Sequence, residues 1–338
     1  MLRMTRGMLL LAAGACLGLA ARPAAAETGE IRVVRQYGIG FLPLMMMEHD
    51  HLFETAAKAA GLAGAKATWA TLGGPAAAND ALLSGSVDVI SNGPPSFITM
   101  WAKTRGNYDV KGIASMISVP MFLNTSNPRI RTLDDFTDKD KIAVSAVKVS
   151  IPALVLEMAA AAKYGDADYA RFDPLTVSLP HPEAMAALLS RGGEIDAHFG
   201  SPPFQYEELQ QPGIHTVVTS DAILGGPTTF SMVFAASRFR TASPRGYTAF
   251  LAAFGNAIDE INHDQPRAAQ IYLDMSHDSR STPASILAML RDPHMVFTTT
   301  PQNFMRYADF MYRIGRIKQK PASWKDLFFP EVQNLPGS

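Results

Sequence analysis

The segment ALLSGSVDVISNGPPSF, residues 81–97, returns as ALLSRGGEIDAHFGSPPF at residues 187–204. Aligned on Asp88 and Asp196, the copies keep step through Pro94-Pro95 and Pro202-Pro203. Each reads as the apolar end of a helix, a turn, a short strand opening with aspartate, and a double proline that starts the next helix. A chain carrying this element twice is constrained to build the same β-α arrangement in two places.

The flanking sequence agrees. Before the first copy, IRVVRQYG reads as a strand, Pro43 opens a helix that runs to about Gly61, KATWATLG is a second strand, and Pro75 opens a helix ending at Gly85. VDVISNG is the third strand, and the helix after Pro94-Pro95 carries Phe97, Met100 and Trp101. The order β-α-β-α-β-α predicts one parallel-sheet domain. The same order then repeats. KIAVSA is a strand, Ser150 an N-cap, and the next helix sets Leu154, Val155 and Met158 on one face and stops at Gly165. LTVSLP leads to a helix from Pro182, and EIDAHFG leads to Ser201 as a cap with Pro202-Pro203 opening another helix. The repeated element is thus the third β-α unit of each of two similar domains.

After HTVVTS and a β-rich stretch, TTFSMVFAAS, long amphipathic helices follow. Behind Ser243-Pro244, the set Tyr247, Phe250, Leu251, Phe254, Ile258 and Ile261 has helical spacing, and Thr282-Pro283 and Thr300-Pro301 read as two more helix starts. No third sheet matches this tail, so it is expected to pack back on the first domain. The chain then crosses between domains twice, near residues 118–125 and 226–236. The expected fold class is α/β, with two parallel-rich sheets and flanking helices: one lobe from residues 27–120 and 226–338, the other from residues 121–225.

The first 26 residues read as a cleavable secretory signal: Arg3 and Arg6, an apolar run over residues 8–20 too short to span a membrane as a mature helix, and Ala24-Ala25-Ala26 before Glu27. Cys16, the one cysteine, lies inside it, and Ala13 stands where a lipoprotein signal usually has a larger aliphatic residue. Cleavage after Ala26 leaves a chain with no cysteine, which excludes disulfides, thiol catalysis and cysteine metal sites. With 30 Lys plus Arg against 31 Asp plus Glu and no long run of either sign, nothing suggests a nucleic-acid surface, and a small-molecule partner is expected.

In parallel α/β sheets, ligands sit outside the carboxyl ends of the strands. Here those loops are YGIGFLP, LGGPAA, SNGPPS, AVKVSIP, LPHPEA and HFGSPP, rich in glycine, proline and small polar residues. Proline at a helix start loses no hydrogen bond, and the free N–H groups around it suit an anionic head group. The side-chain candidates are Tyr37, Phe41, Asn92, Ser150, His181, His198 and Ser201; Tyr37 and Phe41 read equally well as core, and Lys148 as a solvated loop charge. Glu48-His49-Asp50-His51 is dense in ligand types, but it lacks the i, i+4 histidine pair of a helical zinc site. Met45-Met46-Met47 wraps around a helix and reads as core. No GxSxG elbow, P-loop or nucleotide-binding GxGxxG is present, and neither a catalytic residue, a metal nor a cofactor is expected.

Taken in order, YGIGFLPLMMMEHDHLFE, ALLSGSVDVISNG, RTLDDFTDKDKIAVSAVKVS, LLSRGGEIDAHFGSPPF and ASPRGYTAFLAAFGNAIDEINHDQPRAAQIYL resemble elements of the periplasmic substrate-binding proteins of ABC importers, in the nitrate, sulfonate and taurine family. The resemblance covers almost the whole chain beyond the signal. It implies a two-lobed clamp of the type II periplasmic-binding fold, with two crossover strands as hinge, that closes on one small solute and presents it to an ABC permease. By that likeness one lobe would offer Tyr37, Phe41, Gly74 and Asn92, and the other Ser150, His181, His198 and Ser201. Family members differ in ligand: sulfonates, nitrate, bicarbonate, and pyrimidine or flavin precursors. The sequence shows no obvious pocket arginine for a sulfonate, so an anion would be held mainly by backbone N–H groups.

The function expected is that of a monomeric, non-enzymatic periplasmic receptor for a small anionic organic solute. Enzymes on the same fold, pyrimidine-precursor synthases and some decarboxylases, are the alternative class. The secretory signal argues against them, and the chain lacks the cysteine-rich motif of the synthases. A ligand-presenting partner of a sensor would carry the same residues as a permease partner.

Overall fold

The computed structural model describes residue 27, residues 29–190 and residues 192–338. The secretory signal read from residues 1–26, Cys16 included, lies outside the described residues. Short β-branched runs form strands β1 (Glu30–Arg35), β2 (Lys66–Thr71) and β3 (Val89–Asn92), parallel in the order β2-β1-β3, with Val33 paired to both Trp69 and Val89. Strand β4 (Val110–Ser118) does not join them directly. The strand that arrives late in the chain, Thr229–Ala236, lies antiparallel between β3 and β4, and the short strand Val296–Phe297 pairs with the outer edge of β4.

The second sheet repeats the plan. With β5 (Phe122–Thr125), β6 (Ile142–Val144), β7 (Thr176–Ser178), β8 (Ala197–Gly200) and β9 (His215–Thr219), its order is β7-β6-β8-β5-β9. Strands β6, β7 and β8 run parallel, and β5 is antiparallel between β8 and β9. We label Thr229–Ala236 as β10 and Val296–Phe297 as β11. In each sheet the antiparallel insert is the strand that has just crossed from the other: β4 passes to β5, and β9 passes back to β10. All eight residues of β10 are buried, as a central strand requires.

The tail packs on the first sheet. Phe97, from the helix Pro94–Thr104, meets Phe234 of β10 at 5.1 Å between ring centroids, and Phe304 and Phe328 of the tail at 6.3 and 5.7 Å. Trp101 Nε1 donates to the Asp326 carbonyl at 3.3 Å. On the helix Pro244–His263 the expected apolar face is buried, apart from Leu251, which is half-buried. Among the described residues no helix is long and apolar enough to cross a membrane.

Local readings fail in four places. The helix opened by Pro43 is two helices, Leu42–His49 and Leu52–Ala59, broken where His51 adopts a left-handed conformation at φ 51°. Asp50, at the break, accepts from Arg267 Nη2 at 2.7 Å and from the His49 ring at 2.7 Å, so this dense ligand-type fragment docks a tail helix. Ser150 occupies the N-cap position of Ile151–Tyr164, but its hydroxyl donates to the Ala146 carbonyl at 2.7 Å instead of capping. Ser201 is not a cap either: the helix Phe204–Leu209 follows Pro203, because Pro202 is engaged across the molecule by the N–H of Ile39 at 3.2 Å. Finally, Pro301 does not open a helix. Gln302 exchanges hydrogen bonds with Thr229 (Thr229 N–H to Gln302 O at 3.1 Å, Gln302 N–H to Thr229 Oγ1 at 2.9 Å), which delays the helix to Phe304–Arg313.

Candidate functional site

The strand-to-helix loops of the two sheets meet face to face, and glycines let them do so. A β-carbon on Gly38 would lie 2.8 Å from the Pro202 carbonyl oxygen, on Gly73 2.9 Å from Pro180 Cγ, on Gly74 2.7 Å from the Ser145 carbonyl oxygen, and on Gly93 2.5 Å from Ile151 Cδ1. Each pair joins the first lobe to the second. The two lobes are therefore closed on each other, with no room at these four points for any side chain.

A cavity of about 30 Å³ remains between them. The first lobe lines it with Gln36, Phe41, Pro75, Gly93 and Ser96; the second with Ser145, Ser150, Ile151, Pro152 and His181; the crossovers add Met121 and Phe230. The Phe41 and Phe230 ring centroids are 6.2 Å apart. Among the described residues that line it, none is Asp, Glu, Lys or Arg.

The expected residues fall into distinct positions. Phe41, Ser150 and His181 line the cavity, and Gly74 makes the close approach to Ser145 beside it. Asn92 is wholly buried behind the lining. Its amide donates to the Ser96 hydroxyl at 3.0 Å and to Asn79 Oδ1 at 2.9 Å, and its carbonyl accepts from Gln36 Nε2 at 2.5 Å, so it fixes two residues that do line the cavity. His198 is likewise behind, hydrogen-bonded to the cavity-lining His181. Ser201 is buried against Gly38. Tyr37 is 43% exposed and lines a separate, outer cavity. Lys148 is exposed and does not line the cavity.

The reading from sequence missed Gln36, Ser96 and Ser145, although all three lie in or beside the quoted loops. Met121 and Phe230 belong to the crossovers, and no local signal marks them. Glu208, in FQYEEL, looks like a solvated helix face; in the structure it is fully buried.

Glu208 anchors a hydrogen-bonded chain to the cavity. Its Oε2 accepts from Asn124 Nδ2 at 2.9 Å, and its Oε1 is 2.5 Å from His198 Nδ1. His198 Nε2 is 2.8 Å from His181 Nδ1, and the His181 ring stacks on Phe204 with centroids 6.0 Å apart. A carboxylate only accepts, so His198 carries a proton on Nδ1. Burial, and after it the charge of His198, holds the His181 imidazole well below its ordinary value, so His181 meets a ligand in its neutral form.

A second bridge between the lobes involves acid groups. Ser281 Oγ, from the tail, donates to Glu207 Oε1 at 3.0 Å. Burial, with the Asp278 carboxylate nearby, pushes Glu207 up to about 7. Protonated, it donates to Asp278, and the two carboxyl groups share the proton. The folded state thus holds a proton that the unfolded chain has released, so stability falls as pH rises from the ordinary carboxylate range through about 7. Thermal melts should show this decline in the parent protein and a flatter profile over the same window in Glu207→Gln, whose amide donates at every pH. Equal slopes would remove the shared proton.

Two sheets of this strand order, joined by two crossovers and meeting through their strand-to-helix loops, make the periplasmic-binding-protein fold. The match of solved structures is at that level. The alkanesulfonate-binding protein SsuA from Xanthomonas axonopodis pv. citri bound to MOPS superimposes with a TM-score of 0.66 at 18% identity, over 87% of this chain and 96% of that one. The periplasmic nitrate-binding protein NrtA from Synechocystis PCC 6803 gives 0.65 at 13% identity, over 89% of this chain and 84% of that one. The Candida albicans CA3427 gene product, described as having the generic periplasmic binding protein fold, gives 0.64 at 16% identity, over 86% and 92%. No protein-family model and no curated protein matches the chain.

Proposed function

We propose that this chain is an extracytoplasmic solute receptor of the nitrate, sulfonate and taurine type, which binds one small organic solute between its lobes and delivers it to an ABC permease. The observation that carries the reading is the cavity itself: both lobes and both crossovers line it, and the closed form leaves room for little more than water. A solute must therefore enter an open form and be enclosed on closure, and contacts to both lobes give it the differential affinity that drives closing. The hinge lies where β4 passes to β5 and β9 to β10, with residues 27–120 and 226–338 in one lobe and residues 121–225 in the other.

The lining supports a solute of the following outline. Phe41 and Phe230, in contact with each other, offer an apolar surface to one side of the solute. An anionic head group would be met by the Ser145 hydroxyl and by N–H groups at the helix starts near Pro75, Pro94 and Ile151, with the neutral His181 beside them. Binding proteins among the structural neighbours, the nitrate-binding one periplasmic, support a periplasmic, non-catalytic role, and the receptor is taken to act as a monomer.

The test is a thermal-shift screen of residues 27–338, unfolded and refolded to strip carried-over ligand, against sulfonates, nitrate, small carboxylates, aromatic acids and pyrimidines. A ligand at a hundred times its dissociation constant adds about 2.7 kcal/mol to the folded state and raises the melting point. The bound solute should be recovered unaltered, and small-angle scattering should show a more compact particle with it. Recovery of a converted product would favour the enzyme reading; an unchanged scattering profile at saturation would remove the clamp.

A further inference from the structure

Gln36, the residue after β1, lines the inner cavity with one half of its amide already committed. Its Nε2 donates to the Ser91 carbonyl at 2.9 Å and to Asn92 Oδ1 at 2.5 Å. A backbone carbonyl can only accept, so the nitrogen is fixed on that side and both its protons are engaged. The Oε1 is left with no donor among the described residues. Nor is it one of the enclosed polar atoms, so on a side chain that lines the cavity it opens there.

Two of the nearby hydroxyls have no proton to give. Ser96 Oγ donates to Asn79 Oδ1 at 3.1 Å and accepts from Asn92 Nδ2 at 3.0 Å. Ser150 Oγ, on the other lobe, donates to the Ala146 carbonyl at 2.7 Å, again a partner that only accepts, so toward the cavity it offers lone pairs alone. One acceptor from each lobe thus faces a space with room for little more than water. No Asp or Glu lines that space among the described residues, so an ammonium would enter it without a counter-charge. The donors of the site are elsewhere, at the helix starts near Pro75, Pro94 and Ile151.

Resting on the reading of the inner cavity as the solute site, we infer that the solute is a small acid that carries a primary amide, its anionic end on the helix-start N–H groups and its amide –NH2 between Gln36 Oε1 and Ser150 Oγ. A primary amide brings two protons and no charge, which is what the two acceptors lack. A hydroxyl brings one proton, and a second carboxylate in the same place sets lone pairs against lone pairs. Gln36 belongs to the first lobe and Ser150 to the second. The –NH2 group therefore meets both only when the lobes close, and it adds to the differential affinity on which closing depends.

Calorimetry on the refolded chain tests it with oxamate, malonamate and succinamate. Pyruvate, 3-oxobutanoate and 4-oxopentanoate put a methyl group in place of the –NH2, and oxalate, malonate and succinate put an anionic oxygen there, each at nearly constant shape. Saturable one-to-one binding is expected for at least one amide, with its ketone and dicarboxylate counterparts weaker by about tenfold or more, because a buried acceptor left unpaired rejects the analogue without the N–H. In Gln36→Met, which keeps the length of the side chain and loses the acceptor, the ratio of amide to ketone affinity should fall to near one. A substitution that merely loosened the cleft would weaken both ligands and leave the ratio where it was. The amide and ketone compared in the parent protein decide the matter if Gln36→Met does not fold. Absence of binding by all three amides, a ketone that binds as tightly as its amide, or an unchanged ratio in Gln36→Met overturns the assignment. The receptor reading fails separately, when no solute of the wider screen binds or compacts the particle.

Discussion

Replacing Gly74 with valine should leave the protein folded in its open form and lower its affinity for the cleft solute about ten- to a hundredfold. Gly74 has φ 179°, extended backbone that any residue adopts, so the substitution carries no conformational strain of its own. The difficulty arises only on closure, when a β-carbon would come within 2.7 Å of the Ser145 carbonyl oxygen. That atom is backbone at the end of β6, and it has no rotamer with which to step aside. Overpacking of this kind costs about 1 to 3 kcal/mol, and each 1.4 kcal/mol is a factor of ten in affinity. The ligand-free melting point should stay near that of the parent, and scattering with solute should remain that of the open particle. Gly93→Ala provides the contrast: it adds a single carbon whose nearest neighbour is the rotatable end of Ile151, with the Phe230 carbonyl oxygen further off at 3.2 Å, so it should cost less. Equal affinity in Gly74→Val and parent would mean that this contact is absent from the bound state.

His198→Ala should destabilise the second lobe strongly, lowering unfolding free energy by about 3 to 5 kcal/mol. Glu208 and His198 are both fully buried, and the alanine would leave the Glu208 carboxylate with Asn124 as its remaining side-chain donor. A lone buried charge is costly because neither water nor a partner balances it. The same change frees His181 Nδ1, so a folded variant should also bind solute more weakly. Glu208→Gln keeps an acceptor for His198 without the charge and should cost much less. Urea denaturation of the three proteins at neutral pH measures the differences; a loss under about 1 kcal/mol in His198→Ala would show that Glu208 is not held as a buried carboxylate.

Much of the fold was legible because its signals are local. The alternation of short β-branched runs with helices, the prolines at helix starts and Gly85 and Gly165 at helix ends all act within a turn or two of the chain. Strand order is not local. Nothing in TTFSMVFAAS says that it will sit antiparallel between β3 and β4, although its unbroken apolar character fits a central strand. The site divides the same way. Phe41, Ser150 and His181 were reachable from the loops that carry them, and each lines the inner cavity. Asn92 and His198 are expected at the site because the strand-to-helix loops SNGPPS and HFGSPP carry them; in the structure both are fully buried behind the lining and hold other side chains in place. Glu208 had no legible role, since its importance depends on a histidine brought to it by the fold. Thr300-Pro301 misled for a related reason: a helix-start signal was overridden by hydrogen bonds to a distant strand.

The paired ends of the crossovers bear on how such a molecule is assembled from parts. Ser118 of β4 lies directly opposite Thr229 of β10, and Phe122 of β5 directly opposite Thr219 of β9. All five strands of the second sheet therefore come from one uninterrupted stretch of chain, residues 122–219, whose two ends emerge side by side. In the first sheet, β4 and β10 are the arms of a hairpin whose turn has been replaced by that stretch. The second lobe is a cassette: it plugs into a single gap between neighbouring backbone positions, so a replacement lobe needs only to match two adjacent attachment points.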